Sequence, residues 1–214
     1  MSANQPMDRI VEAGVVAIMR AKSPDQLLAA ARAVLDGGVV AIEVTMTTPH
    51  ALDVIQQATS QFGKEVLFGV GSVLDAETAR AAMLAGAQFV VCPTLRRETI
   101  EICRRYSVPV VPGAYTATEI LAAWEAGANA VKVFPASAGG PGYLKAIKGP
   151  LPQISLSAVG GVTVENAADF IRAGADFLGV GGELVSQKLL DAADFAQITE
   201  RARAFRQAVE KGRN

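Results

Sequence analysis

The chain has 214 residues, half of them hydrophobic and only 19% charged, with a net charge of −1, two cysteines and one histidine. That length suits one α/β barrel, so a single domain over residues 1–214 is expected. The near-neutral balance, without a basic block or a long apolar run, argues against nucleic acid and membrane partners.

Met1–Asp8 is polar and lacks the apolar stretch of a secretory signal. Cys92 and Cys103 read as free thiols of a reducing compartment, so a cytoplasmic protein is expected. A first strand follows at Val15–Met19, ending on Arg20. Ser23-Pro24-Asp25-Gln26 then starts a helix as a capping box with proline at its first position. The next strand carries Ala41, Glu43 and Thr45. Thr48-Pro49 opens another helix, with His50 in its first turn. Further apolar runs lie at Val66–Val70, Phe89–Val91, Val108–Val111, Ala130–Phe134, Ile154–Val159 and Phe177–Val180. Thr116-x-x-Glu119 is another capping box, and an amphipathic tail over Asp191–Lys211 reads as the last helix.

A small-residue signature recurs before four of these strands. The copies are Leu35-Asp36-Gly37-Gly38, Leu84-Ala85-Gly86-Ala87, Glu125-Ala126-Gly127-Ala128 and Arg172-Ala173-Gly174-Ala175, spaced by 49, 41 and 47 residues. Glycine just past a helix end is the usual left-handed cap. Each interval spans about two strand–helix units, and a further strand lies between copies. Eight alternating units predict a (β/α)8 TIM barrel. An open doubly wound sheet would want a dinucleotide fingerprint after the first strand, and Met19–Pro24 has none.

Strand residues alternate between the barrel interior and the helix-facing side. In Ala130–Phe134 the apolar pair Val131 and Val133 takes one side, so Lys132 and Phe134 take the other. The same count turns Glu43 and Arg20 inward, at the strand ends where barrel enzymes keep their active sites. A lysine in such a strand loses solvation, which disfavours its charged form and suits attack on a carbonyl to give a Schiff base. The plainer alternative is a structural lysine paired with a buried carboxylate. Two glycine pairs, Gly160-Gly161 and Gly181-Gly182, follow the seventh and eighth strands. That is the customary phosphate grip of this fold, with helix starts expected at Thr163 and Gly182. Tight turns needing φ > 0 are the other reading.

Over nearly its whole length the chain resembles the bacterial 2-keto-3-deoxy-6-phosphogluconate (KDPG) / 4-hydroxy-2-oxoglutarate (KHG) aldolases. The matching words are Ala17-Ile18-Met19-Arg20, Ile42-Glu43-Val44-Thr45, Gly69-Val70-Gly71-Ser72-Val73-Leu74, Cys92-Pro93, Pro112-Gly113-x-x-Thr116-x-x-Glu119, Lys132-Val133-Phe134-Pro135 and both glycine pairs. The resemblance implies a Schiff-base role for Lys132 and a proton-transfer role for Glu43. It implies substrate contacts for Arg20, Thr45, Thr47, Ser72, Pro93, Phe134, Gly160, Gly161, Gly181 and Gly182. Arg20 and Ser72 would stand near the keto acid's carboxylate, and Pro93 and Phe134 would wall the pocket. It further implies a homotrimer that cleaves a small 2-keto acid, KDPG above all, with no metal and no organic cofactor.

Two positions depart from the family pattern. Thr47 stands where some members carry arginine. Gly182 stands where a serine usually helps hold phosphate, and Glu183 follows it. Same-chemistry alternatives are therefore the phosphogalactonate epimer or an unphosphorylated acid, and a non-catalytic phosphosugar-binding barrel is the alternative of a different class. His50, the sole histidine, rules out a histidine-clustered metal site. Lys145 and Lys148 read as a solvated helix face.

Overall fold

The computed structural model describes residues 5–214; the first four residues of the polar N-terminal segment lie outside the described residues. A helix that periodicity did not single out comes first, α1 (Gln5–Ala13), followed by β1 (Val15–Met19). Then come α2 (Pro24–Asp36), β2 (Ala41–Thr45), α3 (Ala51–Phe62), β3 (Leu67–Gly71), α4 (Ala76–Leu84) and β4 (Val90–Val91). The chain continues through α5 (Arg97–Arg105), β5 (Val110–Val111), β6 (Gly113–Ala114), α6 (Ala117–Glu125) and β7 (Val131–Val133). After a short 3₁₀ turn at Ala136–Ala138 come α7 (Gly140–Lys148), β8 (Leu156–Val159), α8 (Val164–Arg172) and β9 (Phe177–Val180). The last helices are α9 (Gln187–Asp191) and α10 (Phe195–Arg213).

Among the described residues nine parallel strands stand where eight were expected, because the fifth is split at Pro112. Proline has no N–H to give a ladder. On one side of it Val110 pairs with Val90 of β4; on the other Gly113 pairs with Lys132 of β7. The Pro112 carbonyl accepts the Lys132 N–H at 2.9 Å, so the two pieces act as one strand and the ring closes. The fold is a (β/α)8 TIM barrel.

The alternation expected along the strands holds. Val16, Ala41, Leu67, Val111, Ala130 and Phe177 form an inner cluster, and Met7 and Ile10 of α1 pack into it. Val131, Val133, Ile42 and Val44 belong instead to the larger layer between strands and helices. α1 touches β1, β2 and β9 and closes the end of the barrel at which the strands begin. Its signal was Met7, Ile10 and Val11 at helical spacing, on a segment only nine residues long.

The glycine signature holds with one shift of register. Gly86, Gly127 and Gly174 have φ of 105°, 97° and 104°, the left-handed conformation expected past a helix end. In the first copy that role falls to Gly38, at φ 86°, and not to Gly37, at φ −84°. Gly37 is small for another reason. A Cβ there would meet Ala202 Cβ at 2.3 Å and the Thr199 carbonyl at 2.7 Å, so α10 sits directly on it.

Among the helix starts, Thr116 and Glu119 form the reciprocal box as expected. At α2 the Ser23 side chain accepts from Gln26 N–H, but the Gln26 side chain turns back to Lys22 N–H at 3.1 Å and not to the cap residue. His50 is the N-cap of α3, at φ 54°, one position before the helix and not in its first turn. Lys148 is largely buried and held by the protein: it donates to the Ile154 carbonyl at 2.7 Å and pairs with Asp176 at 3.6 Å. Among the described residues no helix is long and apolar enough to cross a membrane.

Candidate active site

At the end of the barrel where the strands finish, a chamber of ≈ 410 Å³ opens between the loops. Lys132 comes into it from β7 and Glu43 from β2; they are 7% and 3% exposed, so both charged side chains lie inside the barrel wall. Arg20, one residue past β1, reaches the same space, with Nη1 3.9 Å from the Cβ position of Gly181. Ser72, directly after β3, has φ 58°, a left-handed conformation that is strained for serine and typical of functional loops. Pro93 and Phe134 complete the wall, and the Lys132 amine stands 4.9 Å from the centre of the Phe134 ring. The two glycine pairs close the far side.

Among the described residues Lys132 makes no salt bridge, and neither its amine nor the Glu43 carboxyl bonds to another protein group. The structural alternative, a lysine locked to a buried carboxylate, is therefore not what the barrel contains. Burial drives the Glu43 carboxyl above its usual range, and this outweighs the opposing pull of Lys132 and then Arg20. A buried acid held in this way keeps a proton to a higher pH, as a proton carrier working near neutrality requires. The Cys92 thiol, behind the wall, is pushed up to about 12 by burial and is inert as a nucleophile.

Residues 7–201 match the family described as "Aldolase: KDPG and KHG aldolase". The chain belongs to the KDPG and KHG aldolase family. It is 39% identical over 197 residues to the 2-dehydro-3-deoxy-6-phosphogalactonate aldolase of Escherichia coli K12, covering 92% of this chain and 96% of that one. It is 35% identical over 202 residues to the 2-dehydro-3-deoxy-phosphogluconate aldolase of Pseudomonas aeruginosa, covering 94% and 90%. The structure superposes with a TM-score of 0.88 and 28% identity on a KDPG aldolase from Legionella pneumophila that holds pyruvate as a covalent carbinolamine, covering 94% and 98%. Like these relatives, the chain is an aldolase, a carbon–carbon lyase.

Ten of the twelve residues singled out in the sequence meet at the mouth of this aldolase, and Thr45 and Thr47 do not line the chamber. β2 ends at Thr45, which is fully buried, and the chain turns there, with the Thr48 N–H donating to the Thr45 carbonyl at 2.9 Å. Thr45 and Thr47 instead share a hydrogen bond between their hydroxyls at 2.8 Å. Strand parity placed Thr45 on the inner side, but a turn that follows immediately is invisible to a two-residue period.

The aldolase's two glycine pairs differ. Gly160 and Gly161 have φ of 92° and 74°, and α8 follows with Thr163 as its cap, as expected. No helix begins at Gly182. A turn closes there on the Gly181 carbonyl, which accepts from Leu184 and Val185 N–H at 2.9 Å each, and α9 starts only at Gln187. The dipole end expected at that loop is missing, because α9 is displaced to Ser186 as its cap. Glu183, whose direction the sequence left open, lines the chamber, as do Ile18, which strand parity turns inward with Arg20, and the apolar Val159 and Val162, which sequence reasoning passed over. Val159 shares strand parity with Ser157 and could have been found from it.

A larger groove of ≈ 680 Å³ lies at the opposite end, between the last turn of α10 and the start of β9. It holds the Lys148–Asp176 pair and faces the end of the barrel associated with stability.

Proposed function

We propose that this aldolase cleaves a 2-keto-3-deoxy-6-phosphohexonate to pyruvate and glyceraldehyde 3-phosphate through a Schiff base on Lys132. The observation that carries the reading is the placement of the Lys132 amine and the Glu43 carboxyl in one chamber, with no partner among the described residues binding either of them. The Lys132 nitrogen attacks the C2 ketone, and the carbinolamine loses water to give an iminium. Glu43, as carboxylate, takes the proton from the C4 hydroxyl while the C3–C4 bond breaks. That bond's electrons pass into the iminium to leave an enamine, and the aldehyde departs. The enamine is reprotonated at C3, with Glu43 as the acid on hand, and water returns the lysine and pyruvate.

Arg20 and Ser72 are assigned to the carboxylate end. Gly160, Gly161, Gly181 and Gly182 are assigned to the phosphate, with the start of α8 adding its partial positive charge. Among the described residues the Gly161 and Gly182 N–H groups donate to no carbonyl, which supports an anion at this end. The gluconate and galactonate epimers differ at C4 and give the same products. The Pseudomonas relative supports the first and the Escherichia coli relative, at 39%, the second. KHG activity, a homotrimer and a cytoplasmic place follow from the family resemblance and belong to the same proposal.

Borohydride reduction with pyruvate tests the core of this reading: a mass increase on the peptide containing Lys132 is expected, and none in Lys132→Arg, whose guanidinium stays protonated. An unmodified Lys132 would favour a barrel that only binds phosphosugars. Steady-state rates on both epimers, on KHG and on the unphosphorylated acid then fix the substrate.

A further inference from the structure

Gly71 ends β3, across from Thr45 on β2, while Gly69 faces Glu43 in register. Its φ lies outside the left-handed range, so the backbone does not call for glycine here. Space does. A Cβ on Gly71 would lie 1.8 Å from Glu43 Oε1, 2.3 Å from its Cδ and 2.5 Å from its Cγ. The carboxyl group occupies the volume that any side chain at residue 71 would take. Gly69 has a different cause, since a Cβ there would strike the Phe89 ring at 2.4 Å and disturb the inner core.

We propose that Gly71 is a positioning residue: by lacking a side chain it fixes where the Glu43 carboxyl sits, and so sets the geometry of proton transfer. The proposal rests on the reading of Glu43 as the acid–base. Among the described residues no protein hydrogen bond tethers that carboxyl, so the walls around it define its place. Proton transfer demands donor and acceptor within about 3 Å, so a displacement of one methyl radius is enough to spoil it. The three nearest atoms to the missing Cβ all belong to the flexible Glu43 side chain, so Gly71→Ala is expected to fold and to push the acid aside.

The test measures exchange of the pyruvate methyl hydrogens with deuterium, alongside cleavage kinetics. Gly71→Ala should keep the wild-type melting temperature, lose on the order of 10²-fold in exchange and kcat, and change KM little. In a Glu43→Ala background the same substitution should cost less than about twofold, because the atoms it would strike are gone. Gly71→Ala with Glu43→Asp, whose carboxyl is one methylene shorter, should regain part of the loss. Wild-type rates in Gly71→Ala, or an equal loss with and without the Glu43 side chain, would overturn the positioning role alone. Wild-type exchange in Glu43→Ala by itself would remove the acid–base reading and Gly71 with it.

Discussion

The Lys132 amine lies 4.9 Å from the centre of the Phe134 ring, two residues further along the chain and one past the end of β7. Alternate residues of an extended segment share a face, so one local sequence supplies both the proposed Schiff-base lysine and an aromatic face beside it. An iminium carries a full positive charge, and a ring at this distance stabilises a cation by about 0.5–1 kcal/mol where solvent is near. Phe134 is 40% exposed, so its loss leaves the core intact. Phe134→Leu is expected to keep its stability and lower kcat/KM by roughly two- to fivefold. An unchanged rate would show that the ring is only a wall.

The raised Glu43 carboxyl couples its proposed acid–base role to stability. Between the ordinary glutamate value of 4.5 and its higher folded value, the folded chain holds a proton that the unfolded chain releases. Stability therefore falls as pH rises through that window. Glu43→Gln has no proton to lose, so it should melt above wild type at neutral and alkaline pH, with the gap closing below the ordinary value. A gap that widens on acidification would mean that burial does not govern this acid. The same variant should be nearly inactive, the usual exchange of function for stability.

Ser157 faces Lys132 across β7 and β8 and is 1% exposed, and its hydroxyl has no hydrogen-bond partner among the described residues. A buried donor left unpaired costs free energy that alanine does not. Ser157→Ala is expected to leave the urea midpoint unchanged or raise stability by up to about 1 kcal/mol. A loss larger than that would reveal a bond which the hydroxyl makes in solution.

Much of this architecture was legible because it rests on short periods. A two-residue period separated Val131 and Val133 from Lys132 and Phe134, and the same parity brought Glu43 and Arg20 inward. The left-handed glycines after the helices could be read because only glycine occupies that conformation cheaply. What escaped depends on contacts distant in sequence. Gly37 looks like a cap, yet it is small because α10, more than 150 residues later, packs on it. Gly71 was part of a motif without a role, since the atom it makes room for lies on another strand. Thr45 obeyed parity and still missed the chamber, because a turn begins at the next residue. The split at Pro112 was readable in principle, as proline cannot donate to a ladder, but the closure it permits depends on neighbours on both sides.

The last expectation concerns the proposed phosphate end, at Gly182. Among the described residues no atom lies within 4 Å of a Cβ placed on Gly182, and its φ is not left-handed, so a side chain fits there without strain. Gly161 is the contrast: at φ 74° and with Ser137 Cβ 2.4 Å from its Cβ position, it tolerates nothing larger. Gly182→Ser should thus fold normally and add one hydroxyl donor at the chamber rim, beside Gly181 and Arg20. One such bond contributes about 1 kcal/mol, which corresponds to roughly a fivefold lower KM for a phosphorylated substrate. KHG, which has no phosphate to bind, should show no change. Glu183 stands at the same rim, and Glu183→Gln should lower the phosphorylated KM as well, by removing a carboxylate from the approach of a dianion. Equal effects of either substitution on both substrates would mean that the anion grip lies elsewhere. The glycine loops would then serve the backbone alone.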